Sequence, residues 1–303
     1  MIWHERPTLG ELRAKVHKER HREIGNWLAR LVGRPLAVYG TWLAIRLGLS
    51  AHQVTVAAVL ASIGSAVAIG LGTRLGFIVG VGLAQLAFWL DHVDGQVARW
   101  RRSASLDGVY FDYLMHHLVA LTQGFALGFG LAVLTGNPYW SVAGFCIGLG
   151  WLFQSIHNDC RYKSFFQRLK RESGAFRVEG GAGGKPAPPS SWPRRGLGML
   201  TWPGYKACEA HTVLAGLTVL ALCAMFWPET WLILWKWNVA IMAMMAPALA
   251  LARSTRAITR GTAEAEFRAW FQPIASTDLD LNPSEEVQNS GDPPSNSLNN
   301  PLN

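Results

Sequence analysis

Charge is what this sequence has least of. Only 16% of its 303 residues are Asp, Glu, Lys or Arg, against about 25% in an ordinary soluble domain. Half are hydrophobic, which argues against a soluble globular fold and for a protein solvated by lipid. Cysteine is also sparse. The four present, Cys146, Cys160, Cys208 and Cys223, form no close pair, which excludes a paired-cysteine zinc or redox motif and predicts free thiols that serve packing. No uninterrupted apolar core occurs in the first 34 residues, so no cleavable signal peptide is expected and the first span would drive insertion. The stretch "GGAGGK" is not a triphosphate loop, because Glu179 stands where that loop needs glycine and Pro186 follows Lys185 in place of Ser or Thr.

What is present in abundance is apolar runs. They cover 53–72, 75–90, 109–134, 138–157, 211–227 and 230–252, each near the roughly 17–25 residues a spanning helix needs. The expected fold is all-α, an integral membrane bundle of six transmembrane helices with amphipathic surface helices at its N-terminus. Basic residues set the orientation: with the N-terminus inside, Arg74 and Lys236 are the only two of the 28 Lys and Arg outside the cytoplasmic segments. That bias predicts a multi-pass protein with both termini and the polar site facing the cytoplasm. The net charge of +8 then reads as attraction to anionic membrane lipids, with no nucleic acid as partner, because no nucleic-acid motif accompanies the basic residues.

Along the chain, 1–34 reads as an amphipathic N-terminal segment. Thr8 and Glu11 have capping-box spacing, and a basic helix is expected to follow over 8–33. His17 and His21 within it read as part of a solvated basic face. Residues 35–48 are too short to span comfortably and read as a second interfacial helix. The membrane domain covers 35–252 and holds a long cytoplasmic loop at 161–210, in which a basic helix-like piece gives way to a linker. The tail 253–303 is cytoplasmic and expected to be disordered from about 273. Trp231, Trp235 and Trp237 read as an aromatic belt at the outer surface, and Pro247 as a kink in the sixth span.

One stretch breaks the apolar pattern: "DHVDGQVARWRRSASLDGVYFDYLMHH", residues 91–117. Ionisable groups inside membrane segments are costly and mark function. Asp91 and Asp94 are i, i+3 and leave one face of the second span. Gly108, Asp112 and His116 recur every four residues along the third. The short connection between them predicts two antiparallel neighbours whose polar faces meet. Carboxylates converging in a low-dielectric pocket need cations, and hard oxygen ligands favour Mg²⁺ or Mn²⁺, which bring phosphate groups with them. Gly95 and Gly108 leave room for a ligand or the facing helix, while Arg99, Arg101 and Arg102 offer charge to phosphate. His92 and His117 lie on other helix faces and read as packing or interface hydrogen bonding. Asp107 reads as a helix cap or solvated side chain. The "HND" at 157–159 reads as an interfacial polar cluster near which an acceptor head group could sit.

Asp91, Asp94, Gly95, Ala98, Arg99, Gly108 and Asp112 reproduce the spacing Asp-x2-Asp-Gly-x2-Ala-Arg-x8-Gly-x3-Asp, which resembles the signature of the CDP-alcohol phosphatidyltransferases. "LSAHQVT" at 49–55 resembles that family's entry into its first span. The resemblance implies transfer of a phosphoalcohol group from a CDP-activated lipid or alcohol to a small hydroxyl acceptor, with release of CMP, in phospholipid biosynthesis. It implies Mg²⁺ or Mn²⁺, two ions, held by Asp91, Asp94 and Asp112, a substrate pocket formed with Gly95, Ala98, Arg99 and Gly108, and a homodimer. His116 stands where the family has a fourth aspartate, assigned as the base for the acceptor hydroxyl. An imidazole with an ordinary pKa near 6.5 can accept that proton or ligate a metal. The alternatives are a catalytically silent CDP-lipid-binding relative or a cation transporter using the same carboxylates.

Overall fold

The computed structural model describes residues 7–16, 29–103, 105–171, 176–178 and 197–273. His17 and His21, the linker with Lys185, and the tail beyond 273 lie outside the described residues. Within them the chain is helical apart from one short antiparallel pairing, of Phe176–Val178 (β1) with Phe271–Pro273 (β2).

The helices in chain order are α1 (Leu9–Lys15), α2 (Arg34–Arg46), α3 (Ala51–Gly70), α4 (Arg74–Trp100), α5 (Leu106–Thr135), α6 (Tyr139–Leu169), α7 (Leu197–Ala207), α8 (Ala210–Phe226), α9 (Trp231–Thr259) and α10 (Thr262–Trp270). Four of them, α3, α4, α5 and α9, are long and apolar enough to cross a membrane. The apolar α8 is 17 residues long. The basic piece expected as a separate loop helix instead continues the fourth apolar run, giving α6 its 31 residues.

The burial pattern of α3 shows why lipid is the fitting solvent. Its inward stripe, Val54, Ala58, Ser62, Ser65 and Ile69, is mostly small, whereas Val56, Leu60, Ile63 and Val67 are exposed on the opposite side. Small residues inward and large apolar residues outward is how helices pack in a bilayer, where close backbone approach supplies the contact energy. The α5/α6 seam takes this furthest. A side chain at Gly124 would collide with the Gly148 backbone, and one at Gly128 with the backbones of Trp140 and Gly144. Side-chain amides tie other pairs together at mid-depth. Gln123 Nε2 donates to Ser62 O at 2.7 Å, and Gln85 Nε2 to Thr218 Oγ1 at 2.6 Å.

Three sequence expectations are corrected here. Trp231 and Trp235 are not a surface belt: Trp235 is fully buried, its ring 4.5 Å from Phe77 and 5.4 Å from Trp231. Four-residue spacing puts both on the face that α9 turns inward, leaving Trp237 exposed. The expected helix over 8–33 is interrupted. Thr8 and Glu11 do form a capping box, but α1 stops at its C-cap, Val16; residues 17–28 lie outside the described ones, and a π-helical stretch, Ala29–Gly33, runs straight into α2. The expected loop at 161–210 is helical where it is described: α6 runs on to Leu169 and α7 covers Leu197–Ala207. From the C-terminal side, α10 packs Phe267 and Trp270 around Phe165 of α6, with Arg161 Nη1 2.8 Å from Glu266 Oε2.

Candidate metal centre

The site begins at three helix ends. Ser50 and Gln53 cap α3 reciprocally, through Gln53 N to Ser50 Oγ at 3.2 Å and Ser50 N to Gln53 Oε1 at 2.8 Å. That cap fixes His52 and Thr55 on the first turns of α3. Helix α4 arrives from the other direction, bringing Asp91 and Asp94 in its last three turns. The connection reverses at Arg102, which takes a left-handed φ of 50°, and Ser105 restarts the chain by accepting from Gly108 N at 3.0 Å. Ser105, not Asp107, is therefore the cap of α5. Asp112 and His116 follow on one face of it.

The expectation that α4 and α5 pack side by side does not hold. Helix α3 lies against both, and α4 and α5 are not packed along their lengths. The short connection spans the gap at one end, so the polar residues of α4 and α5 look at each other across a cleft with α3 as its third wall. A side chain added at Gly108 would sit 3.4 Å from His52 Cε1, so α3 and α5 touch where the cleft begins.

Across the cleft, Asp91, Asp112 and His116 converge. Each offers one ligand atom, and all three atoms lie within 4.8 Å of one another. His116 Nε2 is 3.5 Å from Asp91 Oδ1 and 3.3 Å from Asp112 Oδ1. Donors around a single dication with bonds of about 2.1 Å stand roughly 3 Å apart when adjacent and about 4.2 Å when opposite, so this set could hold one ion by drawing in a few tenths of an ångström. The two carboxylates are partly buried and the imidazole is half exposed, so the site is open to its surroundings on the His116 side.

Asp94 is not in that triad. Its Oδ2 accepts from Thr55 Oγ1 at 2.6 Å, which turns the carboxylate toward α3. The i, i+3 spacing does share a face, but the hydroxyl of Thr55, supplied by a third helix, decides which way the second carboxylate points. Gly95 and Ala98 are partly buried on α4. Arg99 Nε donates to Val16 O at 2.6 Å, so the motif arginine reaches the end of α1. Arg102 is exposed beyond it.

Several neighbours could not be assigned from spacing alone. Gln96, inside the motif, is fully buried. It accepts from Thr41 Oγ1 at 2.8 Å and donates to Arg34 O at 3.0 Å, locking α2 onto α4. His92 has Nδ1 3.6 Å from Asp91 Oδ2 and packs its ring on Phe88 at 4.7 Å. His117 Nε2 lies 2.6 Å from Asp159 Oδ2. Next to Asp159, Asn158 accepts from Arg253 Nη2 at 2.9 Å, and His157 Nδ1 is 3.4 Å from Ser254 Oγ. The "HND" stretch thus joins α6 to α5 and α9. A glutamine between the motif's fixed positions is the one sequence feature that could have pointed to the α2 contact. Nothing in the sequence paired Thr55 with Asp94, because the partners are 39 positions apart.

No protein-family model matches this chain, and no curated protein does.

Proposed function

We propose that the chain is a membrane-embedded, metal-dependent transferase of the CDP-alcohol phosphatidyltransferase kind. The acceptor's hydroxyl oxygen would bond to the phosphorus of a CDP-activated lipid or alcohol, the bond from that phosphorus to CMP would break, and the hydroxyl proton would pass to a base or to water. The observation that carries this reading is the convergence of Asp91, Asp112 and His116 on two helices held apart by a third, at the end of the bundle where the seven-residue motif lies.

The residues present fit a divalent cation, with Asp91, Asp112 and His116 as the donors. Mg²⁺ or Mn²⁺ bound there would stabilise charge on the transferring phosphorus and on CMP as it leaves. The protein's own parts divide the remaining work. Thr55 holds Asp94 on the cleft wall, and a second ion would draw on that carboxylate. Arg99 adds positive charge beside the carboxylates. Gly95 and Gly108 leave the cleft open for nucleotide. His116 has two chemistries available, accepting the acceptor's proton or ligating the metal.

Six spans complete the reading: α6 and α8 join the four long apolar helices. A 17-residue helix is about 25 Å long, close to the hydrocarbon thickness, and α6 is longer still. The distribution of Lys and Arg supports cytoplasmic termini, a cytoplasmic cleft, and α1 and α2 lying at the inner surface.

The purified full chain, given a panel of CDP-alcohols and hydroxyl acceptors, is expected to release CMP only with Mg²⁺ or Mn²⁺. Asp91→Ala or Asp112→Ala should lower release by at least about a hundredfold, and His116→Asp should preserve or raise it. Release no faster than that of Asp112→Ala across the panel would sink the transferase reading. One observation favours a second reading, a CDP-lipid-binding relative without turnover. The His116 imidazole already bridges both carboxylates, so its protonated form can take the cation's place. Saturable CDP binding with no CMP release would select that alternative.

A further inference from the structure

The resemblance implies an all-oxygen metal site, yet the set formed by Asp91, Asp112 and His116 contains a nitrogen. We infer that His116 is a metal ligand through Nε2, and that the centre selects a first-row transition dication, Zn²⁺ and less strongly Mn²⁺, over Mg²⁺. This deepens the transferase reading and rests on its claim that the triad binds metal.

Three observations lead there. First, Nε2 is the imidazole atom that faces both carboxylates, at 3.3 and 3.5 Å. These are within a few tenths of an ångström of the separations of adjacent donors on one ion. Second, Asp94 is drawn off to Thr55 at 2.6 Å, so the compact set is two carboxylates and one imidazole, all within 4.8 Å. Third, Asp112 and His116 are one turn apart on the same helix, a spacing that places two side chains on one ion without strain.

The chemistry of that set differs from four carboxylates in two ways. Replacing a carboxylate by a neutral imidazole removes one negative charge, which weakens binding of hard cations most. Imidazole also suits the later first-row metals, whereas Mg²⁺ keeps an oxygen shell and gives up water reluctantly. Both effects push the same way. With Nε2 on the metal, the imidazole is no longer free to act as the base.

The test uses Mn²⁺ alone on the detergent-purified full chain, without substrate. Electron spin resonance of bound Mn²⁺ is expected to show hyperfine coupling to a directly bonded nitrogen. Growth with histidine carrying heavy nitrogen should shift that coupling in the unaltered chain, so the result does not depend on a variant that folds. His116→Asp should bind Mn²⁺ without the coupling. Mg²⁺ should need a concentration on the order of tenfold higher to displace Mn²⁺ from the unaltered chain than from His116→Asp. Saturable Mn²⁺ binding with no nitrogen coupling, or equal displacement by Mg²⁺ in both, overturns this inference and leaves the metal-dependent reading standing. If Mn²⁺ binds the unaltered chain no better than it binds Asp112→Asn, the metal site and the transferase reading fall together.

Discussion

The two ends of α5 are built on opposite principles. From Gly124 to Leu131 its small residues are pressed against α6 and α3, with Gly124 and Gly128 in backbone contact and Leu127 and Leu131 almost fully buried. From Leu106 to His116 the same helix stands beside a cleft, and Tyr110, Tyr113 and Leu114 are exposed. A seam without side chains holds the helix at a fixed distance and rotation. That lets the other end carry Asp112 and His116 to a set position without being packed there itself. The rigid half is where stability lives and the open half is where charge can be kept, because charge at the seam would have no water and no partner.

The comparison breaks most visibly if the two halves respond alike to substitution. Gly148→Val places a branched side chain against the Leu121 backbone, and overpacking of this kind costs about 1–3 kcal/mol, more where only backbone can yield. It should lower the unfolding temperature in detergent and remove CMP release together with the folded protein. Asp112→Asn should do the reverse. It should change the unfolding temperature little, since the half-exposed Asp112–His116 contact is worth at most about 1 kcal/mol, while release falls by at least about a hundredfold. Thermal unfolding and CMP release measured on the same preparations separate the two. A collapse of Asp112→Asn would mean that the carboxylates hold the fold, not the chemistry.

How much of this could be read beforehand follows from range. The helices were legible because apolar runs and turn residues are local signals, and the Asp112/His116 face follows from the helical period. The cleft was not legible. A short connection implies adjacent helices, and only the packing of α3 against both α4 and α5 shows that the neighbours are separated. The tryptophans went astray for a related reason. Trp231 and Trp235 have the composition of an interface belt, but their shared face points at Phe77, which belongs to another helix. Residues such as Thr55 and Gln96 act through partners far along the chain, and spacing rules carry no information about those.

A smaller effect is expected from α1, which belongs to neither half of α5 but touches the motif. Leu12 and Val16 are fully buried against α2 and α4, Arg13 Nη2 donates to Tyr39 Oη at 3.0 Å, and Arg99 Nε reaches Val16 O. Leu12→Asp puts a charge into that contact and should release α1, which among the described residues packs mainly on α2 and α4. The bundle should keep its unfolding temperature. Arg99 would lose its anchor, and KM for the CDP substrate should rise by about tenfold, since an arginine positions through fixed geometry. Faster proteolysis of the N-terminal segment with unchanged KM would show that α1 covers the motif without positioning it.

Thr55→Val sharpens the contrast at the cleft itself. The substitution keeps the shape of the side chain and removes the 2.6 Å hydrogen bond to Asp94. Hydrogen bonds to charged groups are worth about 1.5–3 kcal/mol, and here the loss should appear in function as well as in stability, because Asp94 is only partly exposed. The freed carboxylate would then be able to join Asp91, Asp112 and His116. Binding of Mn²⁺ should tighten by a few-fold while CMP release falls by about tenfold, the opposite signs marking a carboxylate moved from one task to another. Titration of Mn²⁺ binding alongside release decides this. If both fall together, Thr55 supports the whole centre and the separation of Asp94 from the triad has no functional content.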